Sequence, residues 1–298
     1  MYSNKLYTPL RYPGGKARFA PLLESLVRNN DLEGGHYFEP YAGGAGLALI
    51  LLMDEVVEQI HINDFDPAVA AFWRSAVDSN EALIKMVADA EVSMEAWHHW
   101  REVMFGRTPA DELSRGFATL FMNRTNRSGI LKGGVIGGKD QKGSYKLDAR
   151  FMRDKICSRL ELLGRARTRI KVYEEDALSL LARCADFLPS RSLVYLDPPY
   201  YVKGAGLYRN SYKDDDHRNI AKMLQNGSFP RPWVVSYDNV KEIREMYSGS
   251  SSLIYGLNYT AQRRYIGDEV MFFSEGLKQV PSQNEESSAN VRVKRSAA

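Results

Sequence analysis

Four residues, Asp197-Pro198-Pro199-Tyr200, restrict the fold of this chain more than any other stretch. They follow Leu193-Val194-Tyr195-Leu196, a short apolar run of the kind that forms a buried parallel strand. Each proline fixes φ and lacks an N–H, so the chain can neither continue as sheet nor close at once into a helix. The product is a stiff turn at the C-terminal edge of a strand. It presents a carboxylate, a carbonyl with no helical partner and an aromatic ring, at the edge where open α/β sheets bind ligands. That arrangement suits a planar exocyclic amine, whose lone pair is delocalised into its ring. The Asp197 carboxylate and the Pro198 carbonyl can each accept one N–H, which favours a tetrahedral nitrogen, and Tyr200 offers a face for the base. On the tetrapeptide alone, a Pro-Pro loop that merely closes a strand stands on equal terms.

Two glycine turns lie upstream. Tyr12-Pro13-Gly14-Gly15-Lys16 ends a strand-like entry in a tight turn with a positive tip. It is not a Walker loop, because the spacing is wrong and no Ser or Thr follows the lysine. Next, His36 to Tyr41 reads as the first central strand and Leu47 to Met53 as a helix, joined by Ala42-Gly43-Gly44-Ala45-Gly46. Glycines in that position let backbone N–H groups and a helix N-terminus approach a ligand. Gln59 to Phe65 alternates as a second strand and ends in Asp64, the placement that bonds ribose hydroxyls in dinucleotide-type sites. Asp66 is a second acid there, or the cap of a helix starting at Pro67. His61 falls mid-strand and reads as core, while His98 and His99 have no ligand pattern around them; no metal site is expected.

A chain of 298 residues holds one large α/β domain with an insertion, or two domains. No apolar run is long enough to span a bilayer, no signal-peptide core opens the chain, and Cys157 and Cys184 form neither a disulfide framework nor a zinc pattern. The expectation is a reducing cytoplasm. The net charge of +3 is unevenly distributed: Arg101 to Lys171 holds 17 Lys and Arg against 7 Asp and Glu. A basic middle on an acidic body points to a polyanionic partner, with a solvated helical face as the bland alternative. Within it, helices over Glu81–Ala90, Met94–Phe105 and Leu113–Met122 lead to Asn123-Arg124-Thr125-Asn126-Arg127-Ser128-Gly129 and a glycine-rich basic stretch. This reads as a flexible recognition loop, with Arg and Asn suited to base edges and Lys132, Lys139 and Lys142 to phosphates. A basic helix over Leu147–Leu163 and a strand over Arg169–Glu174 follow. Then come a helix over Ala177–Leu188, a lid over Tyr201–Asp216, a helix over His217–Leu224, a strand over Trp233–Asp238 and an antiparallel pair over Leu253–Tyr259 and Glu269–Phe273. From Val280 the composition is that of a disordered tail.

Asp-Pro-Pro-Tyr, Phe38-Glu39-Pro40-Tyr41-Ala42-Gly43-Gly44-Ala45-Gly46 and Tyr12-Pro13-Gly14-Gly15-Lys16, in this order, resemble the Dam-type (D12 class, α group) DNA adenine-N6 methyltransferases over Leu10 to Ser274. The resemblance implies a Rossmann-like, S-adenosylmethionine-dependent methyltransferase sheet, mostly parallel with antiparallel last strands. Residues 1–78 and 151–279 would form the catalytic domain, 79–150 a small helical and loop target-recognition insertion, and 280–298 the tail. It implies methyl transfer to the N6 amine of an adenine flipped out of duplex DNA, with Asp197, Pro198, Pro199 and Tyr200 catalytic. Cofactor contacts would come from Tyr12, Gly14, Gly15, Lys16, Phe38, Glu39, Pro40, Tyr41, Gly43, Gly44, Asp64, Phe65, Asp176 and Asp197. DNA contacts would come from Arg124, Asn126, Arg127, Lys132, Lys139 and Lys142. The family pattern has glycine where Ala45 stands; alanine would be strained at a positive φ, so the expectation is that the loop shifts by a residue or that the angle is ordinary here, and Asp66 stands where relatives commonly carry Asn. Cytosine-N4 or RNA-adenine methylation, and a non-catalytic DNA-binding module, are the rival readings. A cytoplasmic, bacterial or phage-encoded, nucleoid-associated protein, monomeric or weakly dimeric, is expected, with a cognate restriction endonuclease as a candidate partner.

Overall fold

Short apolar runs separated by amphipathic ones build a doubly wound sheet. The computed structural model describes residues 7–12, 14–202, 212–259, 265–278 and 293–294, the last pair and 256–259 and 265–267 as backbone. Its strands are β1 (His36–Glu39), β2 (Gln59–Asn63), β3 (Ile170–Tyr173), β4 (Ser192–Leu196), β5 (Trp233–Asp238), β6 (Ser251–Tyr259), β7 (Tyr265–Phe273) and β8 (Val293–Lys294). Their order is β3-β2-β1-β4-β5-β7-β6-β8. The first five run parallel, and β7 enters antiparallel between β5 and β6. From β1 the chain winds outward through β2 to β3, then returns to lay β4 against the other side of β1. Strand order reverses between β1 and β4, and that switch point opens the crevice in which such sheets hold ligands.

Side chains alternate between two faces, as strand geometry requires. Tyr37, Ile60, Ile62, Leu193 and Val234 enter one apolar cluster, and Phe38, Val194, Leu196, Val235 and Tyr237 the other. The first face is covered by α1 (Ala20–Asn29), α2 (Gly46–Met53) and α3 (Pro67–Asp78). The second is covered by α8 (Ala177–Ala182), α9 (Asp214–Gln225) and α10 (Lys241–Met246). Between α3 and β3 the chain forms α4 (Asn80–Asp89), α5 (Met94–Met104) and α6 (Glu112–Thr125), and α7 (Arg153–Arg165) returns it to the sheet. These helices extend the first cluster without a break. Gly116 lets α6 lie against α3, since a Cβ there would stand 2.7 Å from the Ala71 carbonyl oxygen.

Several boundaries differ from the sequence expectation. β1 stops at Glu39 because Pro40 has no N–H to donate. The basic helix expected over Leu147–Leu163 is a 3-10 turn, Leu147–Arg150, followed by α7. Non-helical Phe151 and Met152 separate them, and the buried Phe151 ring packs 5.5 Å from Phe121. The helix expected to reach Leu188 ends at Ala182 and continues as a 3-10 turn, Cys184–Asp186. The tail was expected to lack structure, yet Val293–Lys294 pairs with Ile254–Tyr255 at the sheet edge, where unpaired backbone groups accept an extended segment. The lid expected over Tyr201–Asp216 lies outside the described residues from Lys203 to Ser211, and Asp214–Asp216 form the first turn of α9. Among the described residues no helix is long and apolar enough to cross a membrane.

Candidate active site

The turn after β4 and the turn after β1 face each other across the switch point, and the N-terminal glycine turn closes the cleft between them. Asp197 leaves the end of β4. Its Oδ1 accepts a 2.7 Å hydrogen bond from Ser236 Oγ on β5, and Ser236 is itself 2.9 Å from the Tyr195 hydroxyl. Lys16 donates to Asp197 Oδ2 at 3.0 Å, to the Gly14 carbonyl at 3.3 Å and to the Tyr200 hydroxyl at 2.6 Å. The Tyr200 hydroxyl in turn donates to Glu269 Oε1 at 2.7 Å. Burial pushes the Asp197 carboxyl above its ordinary range; the Lys16 ammonium pulls it down and the Glu269 carboxyl pushes it up. The outcome is a carboxylate at the cleft held in orientation from both sides.

The glycine turn is organised by acids. Asp64, at the end of β2, accepts the Gly43 N–H on Oδ2 at 3.0 Å and the Asp66 N–H on Oδ1 at 2.9 Å. Burial raises its carboxyl to about 7. Trp73 Nε1 donates to the Gly43 carbonyl at 2.8 Å, fixing the turn from below. Gly43 has φ 48°, and a Cβ on it would stand 2.6 Å from the Tyr12 ring. The glycines therefore make room for Tyr12, a neighbour within the chain as well as any ligand. Ala45 has φ 45° and ψ 31°, so the left-handed angle is present and alanine carries its strain. As N-cap of α2 it has no side-chain acceptor, and buried Glu39 supplies one by accepting the Ala48 N–H at 3.0 Å. Burial pushes the Glu39 carboxyl up to about 8. Asp66 caps α3 and Asp176 caps α8.

The cleft encloses about 900 Å³. Tyr12, Gly14, Gly15, Lys16, Glu39, Pro40, Tyr41, Gly43, Gly44, Asp64, Phe65, Asp176, Asp197 and Pro199 line it. Phe65 is 57% exposed at its rim, and Tyr212 bonds the Tyr41 hydroxyl at 3.1 Å on the far wall. Three expected residues stand elsewhere. Phe38 points into the opposite core against Phe187, and Pro198 is not among the lining residues. Tyr200 is 7% exposed with its hydroxyl tied to Lys16 and Glu269, so its ring is part of the support rather than an open stacking face.

The segment read as a flexible recognition loop begins with three buried residues on the last turn of α6 and the buried Asn126 that caps it. Asn123 brackets the Arg11 backbone, accepting its N–H at 2.7 Å and donating to its carbonyl at 3.0 Å. Arg124 donates through Nε to the Pro9 carbonyl at 2.7 Å. Asn126 accepts from Trp97 Nε1 at 2.8 Å and donates to the carbonyls of Ile130 and Leu131. Arg124 and Asn126 are thus committed to holding the N-terminal segment and the following turn, which corrects their expected place on a mobile loop. Arg127, Lys132, Lys139 and Lys142 are exposed.

Sequence reading missed two groups. Arg11, Arg150 and Arg159 line the cleft with Arg124, and among the described residues none of the four pairs with a carboxylate. Burial, then Arg159 and Arg11, push the Arg124 guanidinium down to about 9. Glu269, fully buried at the start of an apolar run on β7, was the other; a lone acid before Val270-Met271-Phe272-Phe273 was the available signal. Among the described residues no cluster of His, Cys, Asp and Glu is arranged to hold a metal ion.

A family model for D12 class N6 adenine-specific DNA methyltransferases matches residues 12–261. The retron Ec67 DNA adenine methylase of Escherichia coli is 23% identical over 268 residues, 87% of this chain and 85% of that protein. Among solved structures, a protein of Listeria monocytogenes described as a class I S-adenosylmethionine-dependent methyltransferase is 11% identical, with a TM-score of 0.37 over 89% of this chain and 60% of that one. A conserved hypothetical protein of Streptococcus pyogenes is 14% identical, with a TM-score of 0.32 over 83% of this chain and 90% of that one. At those scores neither likeness bears on the fold. The family match runs from the N-terminal glycine turn past β6 and takes in both turns that face each other across the cleft: this chain belongs to the D12 class N6 adenine-specific DNA methyltransferase family.

Proposed function

We propose that this protein transfers a methyl group from S-adenosylmethionine to the N6 amine of an adenine flipped out of duplex DNA, with Asp197 as the acceptor of the amine's hydrogen. The observation that carries the proposal is the placement of Asp197, on a proline-stiffened turn at the switch point, between Lys16 and Ser236 and open to the cleft. The family implies the cofactor, and the residues fit it. The cleft has the volume of a small-molecule site, the half-buried Asp64 carboxylate suits ribose hydroxyls, and the exposed Phe65 ring suits a purine face. Bound there, S-adenosylmethionine supplies a sulfonium-activated methyl group.

The residues of the chain do the remainder. Asp197 accepts an amine hydrogen, drawing the nitrogen lone pair out of conjugation. When the nitrogen gains its methyl group, its surplus proton passes to Asp197. An adenine amine paired inside a duplex cannot reach a recessed carboxylate, so the base must leave the stack. Exposed Arg127, Lys132, Lys139 and Lys142 suit the phosphates of the duplex, and Arg11 and Arg150 at the cleft suit those near the extruded nucleotide.

Expression in a methylation-free bacterial host, followed by single-molecule kinetic sequencing of the genomic DNA, tests the reading. N6-methyladenine in one short motif, absent with Asp197→Ala, is the expected result. Modified cytosine would move the target base, and normal methylation by Asp197→Ala would refute the assigned chemistry.

A further inference from the structure

Glu269 is a fully buried acid that directly precedes the buried apolar run Val270-Met271-Phe272-Phe273 on β7. It stands opposite Tyr255 on β6 and Asp238 on β5. A buried carboxylate is costly unless its lone pairs and charge are matched. Here Oε1 accepts from the Tyr200 hydroxyl at 2.7 Å, Oε2 accepts from the Tyr255 hydroxyl at 2.9 Å, and Lys16 Nζ lies 3.5 Å from Oε2.

The direction of these bonds matters. Tyr200 has one proton, and giving it to Glu269 leaves its oxygen as an acceptor for Lys16 at 2.6 Å. The ammonium has three hydrogens, for which Tyr200, Gly14 and Asp197 are all within reach. A chain of bonds thus runs from Glu269 through Tyr200 and Lys16 to the carboxylate at the cleft. Two carboxylates share one ammonium; Tyr195, Tyr255 and Ser236 bring hydroxyls to them, and the buried acid Asp238 stands opposite Glu269 in the ladder. The Asp197 charge also raises the buried Glu39 carboxyl on β1, whose main cause is burial.

We propose that Glu269 is a positioning residue for methyl transfer: through Tyr200 it aims the Lys16 ammonium at Asp197, and by competing for that ammonium it keeps Asp197 basic enough to take the amine's proton. The inference rests on the reading of Asp197 given above. An acceptor neutralised too strongly by lysine is a poor base, and general-base efficiency falls as basicity falls. The Glu269 charge lies on the side that raises the Asp197 carboxyl.

Glu269→Gln keeps the shape and removes the charge. A carboxamide can accept from one tyrosine only. Turned one way, its NH2 group faces Tyr200 and reverses that hydroxyl toward Lys16; turned the other, it faces the ammonium. The Asp197 side-chain carboxyl, followed by 13C NMR, should then titrate at lower pH than in the wild-type protein. The acid limb of the kcat profile should move with it, and kcat at pH 7.5 should fall about tenfold. KM for a duplex oligonucleotide should stay within threefold, and Glu269→Asp, which keeps the charge, should recover part of kcat. An unmoved Asp197 midpoint in folded Glu269→Gln protein overturns the proposal. So does a loss of activity that tracks unfolding while the profile stays in place. If the Gln variant does not fold, Tyr200→Phe cuts the same chain and must move the same midpoint. A wild-type protein that modifies no adenine would instead refute the proposed function, and the titration would still decide whether Glu269 governs Asp197.

Discussion

Asn126 gives the sharpest test of the division between support and recognition. Its side chain is fully buried and satisfies three partners: Trp97 Nε1–H at 2.8 Å, the Ile130 carbonyl at 3.1 Å and the Leu131 carbonyl at 3.0 Å. Asn126→Ala leaves the indole N–H and two carbonyls without them. A buried polar group left unpaired costs about 1–3 kcal/mol. The indole is buried and the carbonyls lie nearer the surface, so we take the low end for each and expect a destabilisation of about 3 kcal/mol. In a chain of this size that lowers the melting temperature by roughly 6–12 °C. Thermal melts and urea titrations measure the stability. Single-molecule sequencing of a host grown at permissive temperature measures the methylated motif, which should be that of the wild type. A variant that melts with the wild type but methylates a different or looser motif would refute this reasoning, because the side chain would then be reading DNA.

Two further outcomes follow from charge. Glu39 ionises near pH 4 in the unfolded chain and near 8 when buried, so between those limits the folded state holds a proton that the unfolded state has released, and stability falls as pH rises. Glu39→Gln should remove up to about 1.4 kcal/mol per pH unit of that slope, read from urea unfolding at pH 5 and 7.5; an unchanged slope would show that Glu39 does not titrate in this way. Replacing Lys132, Lys139 and Lys142 together by alanine should flatten the salt dependence of duplex binding, with cofactor affinity unchanged. The log–log slope should shrink by roughly 0.9 for each phosphate that is no longer neutralised. An unaltered slope would place the duplex elsewhere on the surface.

The strands and helices were legible because each records its own burial. Leu193-Val194-Tyr195-Leu196 is apolar throughout because β4 is covered on both faces, and Leu47-Ala48-Leu49-Ile50-Leu51-Leu52 is apolar because this stretch of α2 is buried on every side. Asp-Pro-Pro-Tyr was legible because two prolines dictate a turn whatever surrounds them. Boundaries were less so: Phe151 leaves the helical path to fill a space beside Phe121, which local sequence does not encode.

Residue chemistry by itself marked Asn126 and Arg124 as polar groups able to bond nucleobases, but the same groups bond backbone carbonyls and an indole equally well. Which partner they take depends on where α6 ends and what the N-terminal segment brings beside it. Tyr200 was read as an open ring because its neighbours in sequence are loop residues, whereas its neighbours in space are Lys16 and Glu269. Lys16 is 181 residues from Asp197, and Glu269 is 69 residues from Tyr200. The amino-acid sequence determined the layered α/β fold, its turns and the carboxylate at the strand end, because burial period and backbone restriction are local properties. The tertiary structure alone decided how that carboxylate is charged and aimed, because the field at a buried group is the sum over charges that only folding brings within a few ångströms.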